Sequence, residues 1–261
     1  MKSLFFFRFK FFPEFKFKNS SWFNFVDKNF AEEVKDKIEF NSPVTQIDYS
    51  KDEVDVVTKS GQVYKADKVL VTASIGILKS EYINFIPHLS KEKQDAMESI
   101  NFMPGFKLVM KFSEKFYSDI IMCKAKTGEK GYYDMAFRKD SKNHILGLLI
   151  QGSGVEDFYC LESEEQIVLK ALEELDKIYE GKASKTYTGE YVFEDWGRHE
   201  FTLGTWIESF QINQSIIQKL NEPLNGKVFF AGELYDLHHQ LGVPGAIVSG
   251  YHSIDKLLTK L

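Results

Sequence analysis

The chain has 261 residues, of which 43% are apolar and 27% are charged, so it can bury a sizeable core in one large domain or two. Its formal net charge is −5, with acidic and basic residues mixed along the chain, which argues against nucleic acid as a partner. No apolar run reaches the ~18 residues that a membrane-spanning helix needs. The two cysteines, Cys123 and Cys160, lack a CxxC spacing, which argues against a disulfide framework or a cysteine-ligated zinc and favours a reducing compartment.

The first 21 residues are a low-complexity leader rich in phenylalanine and lysine. Arg8 and Lys10 interrupt the apolar centre that a secretory signal peptide would need. We therefore expect residues 1–21 to be irregular, and they do not resemble the start of a compact domain.

Hydrophobic periodicity and turn residues predict a mixed α/β pattern over the rest of the chain. Helices are predicted at 22–37, at 90–100 after the N-cap Ser90, at 164–179 and from about Gly245 to the end. The predicted strands are a hairpin at 44–49 and 54–58, then 62–64, a buried strand at 68–73, and 106–112, 132–137, 144–151 and 186–194.

The C-terminal stretch combines a buried strand, a glycine, an acid and a helix. The apolar run 228–231 stops at Gly232 and Glu233, and the sequence Gly-Val-Pro-Gly-Ala at 242–246 opens the last helix. This order is typical of a ligand site at the edge of a sheet, where free helix N–H groups favour negative charge. An ordinary strand–turn–helix unit is the alternative interpretation.

Five stretches in order resemble the flavin-dependent amine oxidases, the family that contains polyamine oxidases, monoamine oxidases and the flavin lysine demethylases. The order and spacing match from about residue 22 to the end of the chain. The stretches are NSPVTQI with the hairpin and ADKVLVTASIGILK at 41–79, INFIP with LSKEK at 83–93, INFMPGFK at 100–107, DW at 195–196 with GTW at 204–206, and the C-terminal stretch.

The resemblance implies an α/β fold with two parts. One is a partial FAD-binding, Rossmann-like domain formed by residues 22–80 and 225–261. The other is a substrate domain at 81–224, with a mixed β-sheet flanked by helices.

The resemblance also implies roles for individual residues. Lys107 would hold a water near flavin N5, and Trp206 would be a substrate wall, so these two are the candidate catalytic residues. From the residues alone, a surface strand lysine and a core tryptophan are the alternatives. The candidate FAD-binding residues are Val44 at the adenine end, Thr72 and Ala73 near the ADP moiety, Trp196 as the second aromatic wall, Gly232 and Glu233 near the ribitol and pyrophosphate, and Val243, Gly245 and Ala246 under the flavin pyrimidine.

Other cofactor and location predictions are brief. No metal is expected, since His238 and His239 are adjacent and would point to opposite sides of an extended strand. No cysteine lies in the C-terminal stretch, so FAD would be noncovalent there. The ending Thr-Lys-Leu approaches a peroxisomal signal without matching it. We expect an intracellular location, and the sequence does not separate cytoplasm from peroxisome.

The GxGxxG unit that holds the pyrophosphate in this family is absent from the sequence, and Gly152 and Gly154 supply only two such glycines. Three hypotheses follow. The chain is a truncated form of an amine oxidase that converts the C–N bond of an amine, such as a polyamine, to an imine with O₂ as acceptor. Alternatively, it is a catalytically inactive remnant that acts as a binding module, which an exposed apolar patch at 66–73 and 227–231 would support. In the third hypothesis, a partner chain covers the exposed face of the FAD domain and supplies the missing half. Whether this chain is an enzyme, and which small-molecule amine it would use, stays open at this point.

Overall fold

The computed structural model describes residues 17–207, 213–236, 238 and 242–259. Within them the fold is mixed α/β, as predicted. The strands are β1 (Val44–Asp48), β2 (Val54–Thr58), β3 (Val63–Ala66), β4 (Val69–Val71), β5 (Asn84–Ile86), β6 (Phe102–Met103), β7 (Gly105–Phe112), β8 (Ile120–Cys123), β9 (Lys130–Asp134), β10 (His144–Gln151), β11 (Tyr187–Glu194), β12 (Trp206–Ile207) and β13 (Val228–Phe230).

The α-helices precede, separate and follow groups of these strands along the chain. They are α1 (Trp22–Val26), α2 (Ile75–Lys79), α3 (Lys91–Glu98), α4 (Glu156–Tyr159), α5 (Glu164–Tyr179), α6 (Lys182–Thr186), α7 (Gln214–Asn221) and α8 (Val243–Thr259). The predicted N-cap of α3 is confirmed, because the Ser90 side chain accepts a hydrogen bond from the Lys93 backbone N–H. None of the helices in the described part of the chain is long and apolar enough to cross a membrane.

The largest sheet has five strands in the order β11-β7-β10-β9-β8. Its long strands β7 and β10 pair antiparallel from Gly105↔Gln151 to Phe112↔His144 without a register shift. Along β7 the side chains at Phe106, Leu108 and Met110 are fully buried, while the alternate positions are half-buried. The alternation gives this sheet one face in the core and a second, partly open face.

A second group of strands packs beside this sheet. The predicted hairpin is confirmed as β1 and β2, which belong to a four-stranded sheet in the order β3-β2-β1-β5. Strands β4 and β13 pair in parallel, with Val69 opposite Val228. This pair brings the 66–73 region next to the C-terminal unit, although the two are far apart in sequence.

Two separate hydrophobic clusters form the core. One contains buried residues between 47 and 100 together with residues between 207 and 235, including Phe85, Ile100 and Phe230. The other lies between 106 and 183 and packs the buried face of the five-stranded sheet against α5. Buried residues such as Phe85, Ile100 and Leu220, which the sequence analysis assigns to the substrate domain, therefore pack in the first cluster.

One segment differs from the sequence-based expectation. The segment 22–37 is helical, but it passes from α1 into one π-helical and one 3₁₀ stretch and buries none of its residues. The apolar run 228–231 is buried, as predicted, with 0–2% of each residue exposed. At 66–73, Val69 and Leu70 are half-buried and Val71 is buried, while Asp67 and Thr72 are exposed. The 228–231 part of the patch that would support a binding remnant is therefore covered.

Candidate active site

Lys107 lies on the partly open face of the five-stranded sheet. It is opposite Leu149 of β10 and Glu194 of β11 in the strand register. Its ammonium nitrogen is 5.8 Å from the Tyr133 ring centroid and 5.9 Å from the Trp196 ring centroid, at the outer limit of a cation–π contact. Among the described residues no carboxylate forms an ion pair with it. Lys111, two positions along the same face, has Glu190 at 2.8 Å.

Trp196 follows the end of β11 and is half-buried beside Lys107. Its carbonyl accepts hydrogen bonds from the Thr202 hydroxyl at 2.6 Å and from the Gly204 N–H at 3.0 Å. These bonds fold residues 195–206, here called the 195–206 segment, back on itself. The segment therefore joins the candidate wall Trp196 to the candidate wall Trp206.

Trp206 stands at the other end of this segment and is 40% exposed. It pairs with Met103 in the short sheet of β12 and β6. It also lines a cavity of about 280 Å³ together with Thr205, Ile207, Glu233, Gly242, Val243 and Ala246. Three of the predicted cofactor-binding residues thus share one cavity with the predicted substrate wall, whereas Lys107 and Trp196 do not line it.

The C-terminal strand and helix are joined by two buried serines. The Ser249 hydroxyl lies 3.0 Å from the Gly232 nitrogen, which donates to it, and 2.8 Å from the Gly232 carbonyl. One turn further on, the Ser253 hydroxyl donates to the Phe230 carbonyl at 2.7 Å. Gly232 has a φ of 156°, and Tyr235 is the side chain beside the space that a Cβ would occupy there. These bonds fix the buried face of α8, which includes Gly245, against the end of β13.

Tyr235 and Glu233 follow directly after this strand. Burial, with a smaller contribution from the Glu233 carboxylate, raises the pKa of the Tyr235 phenol above its usual value. The Tyr235 phenol therefore stays neutral at physiological pH. Glu233 is the acidic residue in the lining of the 280 Å³ cavity.

Val44, Thr72 and Ala73 meet in a second cavity of about 510 Å³. The cavity runs along β4 and includes Tyr82 and Phe201 in its wall. The Tyr82 hydroxyl is buried and has no hydrogen-bond partner among the described residues. An orphaned buried hydroxyl in a cavity wall is the kind of group that a bound polar ligand satisfies.

The structure thus places the predicted site residues in three groups. The first group lines the large cavity and contains Val44, Thr72 and Ala73. The second group is the contact of Lys107 with Trp196. The third group lines the small cavity and contains Trp206, Glu233, Val243 and Ala246, while Gly232 lies after β13 and Gly245 on the buried face of α8. Phe201 connects the groups, since it belongs to the 195–206 segment and lines the large cavity. Sequence reasoning missed Tyr82, Ser249 and Ser253, because a single tyrosine or serine carries no pattern of its own.

The residues present fit the two ends of a dinucleotide flavin. The large cavity is lined predominantly by apolar side chains, which suits a flat aromatic base. The small cavity lies at the N-terminus of the 17-residue helix α8, which supplies N–H groups and the positive end of a helix dipole. Neither cavity contains a glycine-rich phosphate loop within the described residues.

This architecture is that of a mixed α/β protein with two hydrophobic cores. Residues 16–256 match the family described as flavin containing amine oxidoreductase, so the chain belongs to that family. The membership implies FAD as the cofactor and agrees with the resemblance found in the sequence.

Relatives of this chain include lysine demethylases and polyamine oxidases. The chain is 30% identical to Lysine-specific histone demethylase 2 of Homo sapiens over 84% of its length and 28% of the relative's. It is 28% identical to Polyamine oxidase 1 of Zea mays, over 86% of its length and 46% of the relative's.

Solved structures show the same fold. Wild-type putrescine oxidase bound to putrescine matches with a TM-score of 0.72 at 17% identity, over 88% of this chain and 51% of that one. Cyclohexylamine oxidase from Brevibacterium oxydans IH-35A matches with a TM-score of 0.67 at the same 17% identity. The chain therefore spans about half the length of these structures and less than half of the named relatives.

Proposed function

We propose that this chain is the substrate-side portion of an FAD-dependent amine oxidase that oxidises a C–N bond of an amine to an imine, with O₂ as the electron acceptor. The observation that carries the proposal is Lys107, which projects between two aromatic rings with no carboxylate partner among the described residues. Lys111, two positions along the same sheet face, is by contrast paired with Glu190.

The bound flavin would supply the redox chemistry by accepting a hydride from the amine's α-carbon. The Lys107 ammonium has three donors and stands free to hold a water molecule at the reacting centre. Trp196 and Trp206 supply flat apolar surfaces that exclude bulk water and orient a neutral amine. The N-terminus of α8 favours negative charge in the small cavity.

A polyamine is our proposed substrate class, because the open sheet face offers an acid that forms no ion pair with any of the residues that the structure describes. Glu194 lies opposite Lys107 in an antiparallel pair, so both side chains project from the same face. Glu190 is already neutralised by Lys111. Glu194 would therefore attract a distal ammonium group of a polycationic amine.

We also propose that the phosphate-binding unit comes from polypeptide outside these 261 residues, so that this sequence is a truncated form, or from a partner chain. Strand β4 offers the place where it would join. The Val69 N–H and the Val71 carbonyl bond to β13, so the backbone groups of Leu70 point to the opposite edge. No third strand among the described residues occupies that edge, which adjoins the large cavity. An intracellular location is consistent with the two free thiols Cys123 and Cys160.

Flavin retention tests the proposal. The purified chain is incubated with FAD and desalted, its visible flavin spectrum is recorded, and peroxide release is measured with spermine. We expect little flavin and little peroxide from the chain alone, because the phosphate-binding unit is missing from it, and we expect both from a longer polypeptide that carries this unit. In that polypeptide we expect Lys107→Met to abolish most of the peroxide release. Lys111→Met is the matched control, since it changes the same residue type on the same sheet face and should leave turnover near that of the parent chain.

The other outcomes are equally informative. Equal turnover in both lysine variants would overturn the role of Lys107. A folded chain that retains stoichiometric flavin by itself would overturn the proposal that the phosphate-binding unit lies outside these 261 residues.

A further inference from the structure

Tyr159, Asp195 and Arg198 form a polar cluster behind Trp196. The Tyr159 hydroxyl donates to Asp195 Oδ1 at 2.7 Å, and the backbone N–H of Arg198 donates to the same oxygen at 3.1 Å. The Arg198 guanidinium stacks on the Tyr159 ring at 3.7 Å and donates to the Tyr159 carbonyl at 2.8 Å. Asp195 is therefore held from two sides, and it immediately precedes Trp196 in the chain.

The backbone on the other side of Trp196 is held just as closely. The Gly197 N–H donates to the Gly105 carbonyl at 3.0 Å, next to the start of β7. A Cβ on Gly197 would collide with the Tyr159 hydroxyl and with the Gly105 nitrogen. The tyrosine thus packs directly against the turn that carries the tryptophan.

We propose that Tyr159 and Asp195, braced by Arg198, are positioning residues that fix Trp196 beside Lys107. The cluster acts through the indole and touches neither the substrate nor the flavin. The catalytic consequence of this positioning rests on the proposed function, whereas the contacts that hold Trp196 do not require a bound cofactor.

The burial pattern supports this role. Most of the Asp195 side chain is buried, with 15% of it exposed, and it is bonded to Tyr159 of α4. Helix α4 packs on the buried face of the five-stranded sheet, where its Phe158 ring contacts Phe106 of β7. Burial and the Asp195 bond raise the pKa of the Tyr159 phenol, so the donor keeps its proton at physiological pH. A charge-assisted bond between elements 36 residues apart restrains the turn more than a surface ion pair would.

Fluorine NMR of the cofactor-free chain tests the inference. The protein is labelled with 5-fluorotryptophan, which gives one signal for each of its three tryptophans. Trp196→Phe assigns the relevant signal by its loss. In Asp195→Ala and Tyr159→Phe we expect the Trp196 signal to shift toward its position in the urea-unfolded chain, while the Trp22 signal stays in place.

Two further variants make the test specific. Asp195→Asn keeps an oxygen acceptor for the tyrosine and for the Arg198 N–H, so it should restore most of the parent shift. Tyr191→Phe removes a different tyrosine hydroxyl, which contacts Glu165 at 3.4 Å, and should leave the Trp196 signal unchanged.

An unshifted Trp196 signal in folded Asp195→Ala or Tyr159→Phe would overturn the inference. If Asp195→Ala does not fold, Tyr159→Phe and Asp195→Asn still decide it. Because no flavin is needed, these shifts in the chain, together with no peroxide release from the longer polypeptide that carries the phosphate-binding unit, would refute only the proposed activity. An unmoved Trp196 signal, together with peroxide release from that longer polypeptide, would refute only the positioning role.

Discussion

Lys93 is a buried lysine whose titration should make the protein more stable at alkaline pH. The residue is 2% exposed, and its ammonium group donates to the Lys219 and Leu220 carbonyls at 2.9 and 2.7 Å, at the end of α7. The Phe230 ring lies 4.4 Å from the same nitrogen. Burial lowers the pKa of Lys93 from 10.5 to about 8, against a smaller opposing effect of Glu222.

The magnitude follows from linkage. Between pH 8 and 10.5 the unfolded chain keeps its proton on Lys93 while the folded chain releases it. The unfolded state then binds more protons, so the free energy of unfolding rises with pH across this window. The full effect is about 3 kcal/mol, and about 2 kcal/mol of it falls between pH 7 and pH 9.5.

Urea unfolding followed by far-UV circular dichroism measures this effect in the parent chain and in Lys93→Met. Tyrosines with a raised pKa, such as Tyr132, act in the opposite direction above about pH 10, but they are common to both proteins and cancel in the difference. Methionine leaves two carbonyls without their donor, which changes the stability by an amount that does not depend on pH. We therefore expect the free energy of unfolding of the parent, relative to that of Lys93→Met, to increase by about 2 kcal/mol between pH 7 and pH 9.5.

A matched lysine controls for surface effects. Lys91 lies two positions earlier on α3, is exposed, and pairs with Asp95 at 2.8 Å. The difference between the parent and Lys91→Met should not increase from pH 7 to pH 9.5. A difference between the parent and Lys93→Met that is also independent of pH would show that Lys93 is not desolvated in the folded state, and the reasoning would be refuted.

Three further predictions concern single contacts. Ser253→Ala should lower the free energy of unfolding by about 1–3 kcal/mol in a urea titration, because it leaves the buried Phe230 carbonyl without its donor; no change would show that water replaces the bond. Gly197→Ala should cost roughly 1–3 kcal/mol in the same assay, since the new methyl meets the Tyr159 hydroxyl, and an unchanged unfolding midpoint would contradict the close packing. Tyr82→Phe should raise the free energy of unfolding by up to about 1–3 kcal/mol, because it removes a buried hydroxyl that has no partner among the described residues. A loss of stability in Tyr82→Phe would show that the hydroxyl has a hydrogen-bond partner.

Several elements followed directly from local sequence patterns. The strict alternation in β7 predicted that Lys107 shares a face with Val109 and Lys111, and the structure has this arrangement. Ser90 marked the start of α3 because an N-cap needs only the residues of one helical turn. The hairpin of β1 and β2 could also be predicted from local sequence, because its two strands are neighbours in the chain.

Other features could not be predicted from local patterns. Lys93 occupies the third position of α3, where an exposed residue is normal, and it is buried only because α7 packs against that helix. The short strands β6 and β12 have no periodicity of their own and exist because they pair with each other across about 100 residues of sequence.

The sequence by itself determined the family, the alternating faces of the long strands and the identity of Lys107 and the two tryptophans as candidates. Only the tertiary structure decided which candidates meet. The order β11-β7-β10 places Trp196 beside Lys107, and the return of the 195–206 segment to β6 places Trp206 at the start of α8. The physical reason is that periodicity reports which face of an element is apolar, whereas the partner of each face depends on contacts between residues that are far apart in the chain.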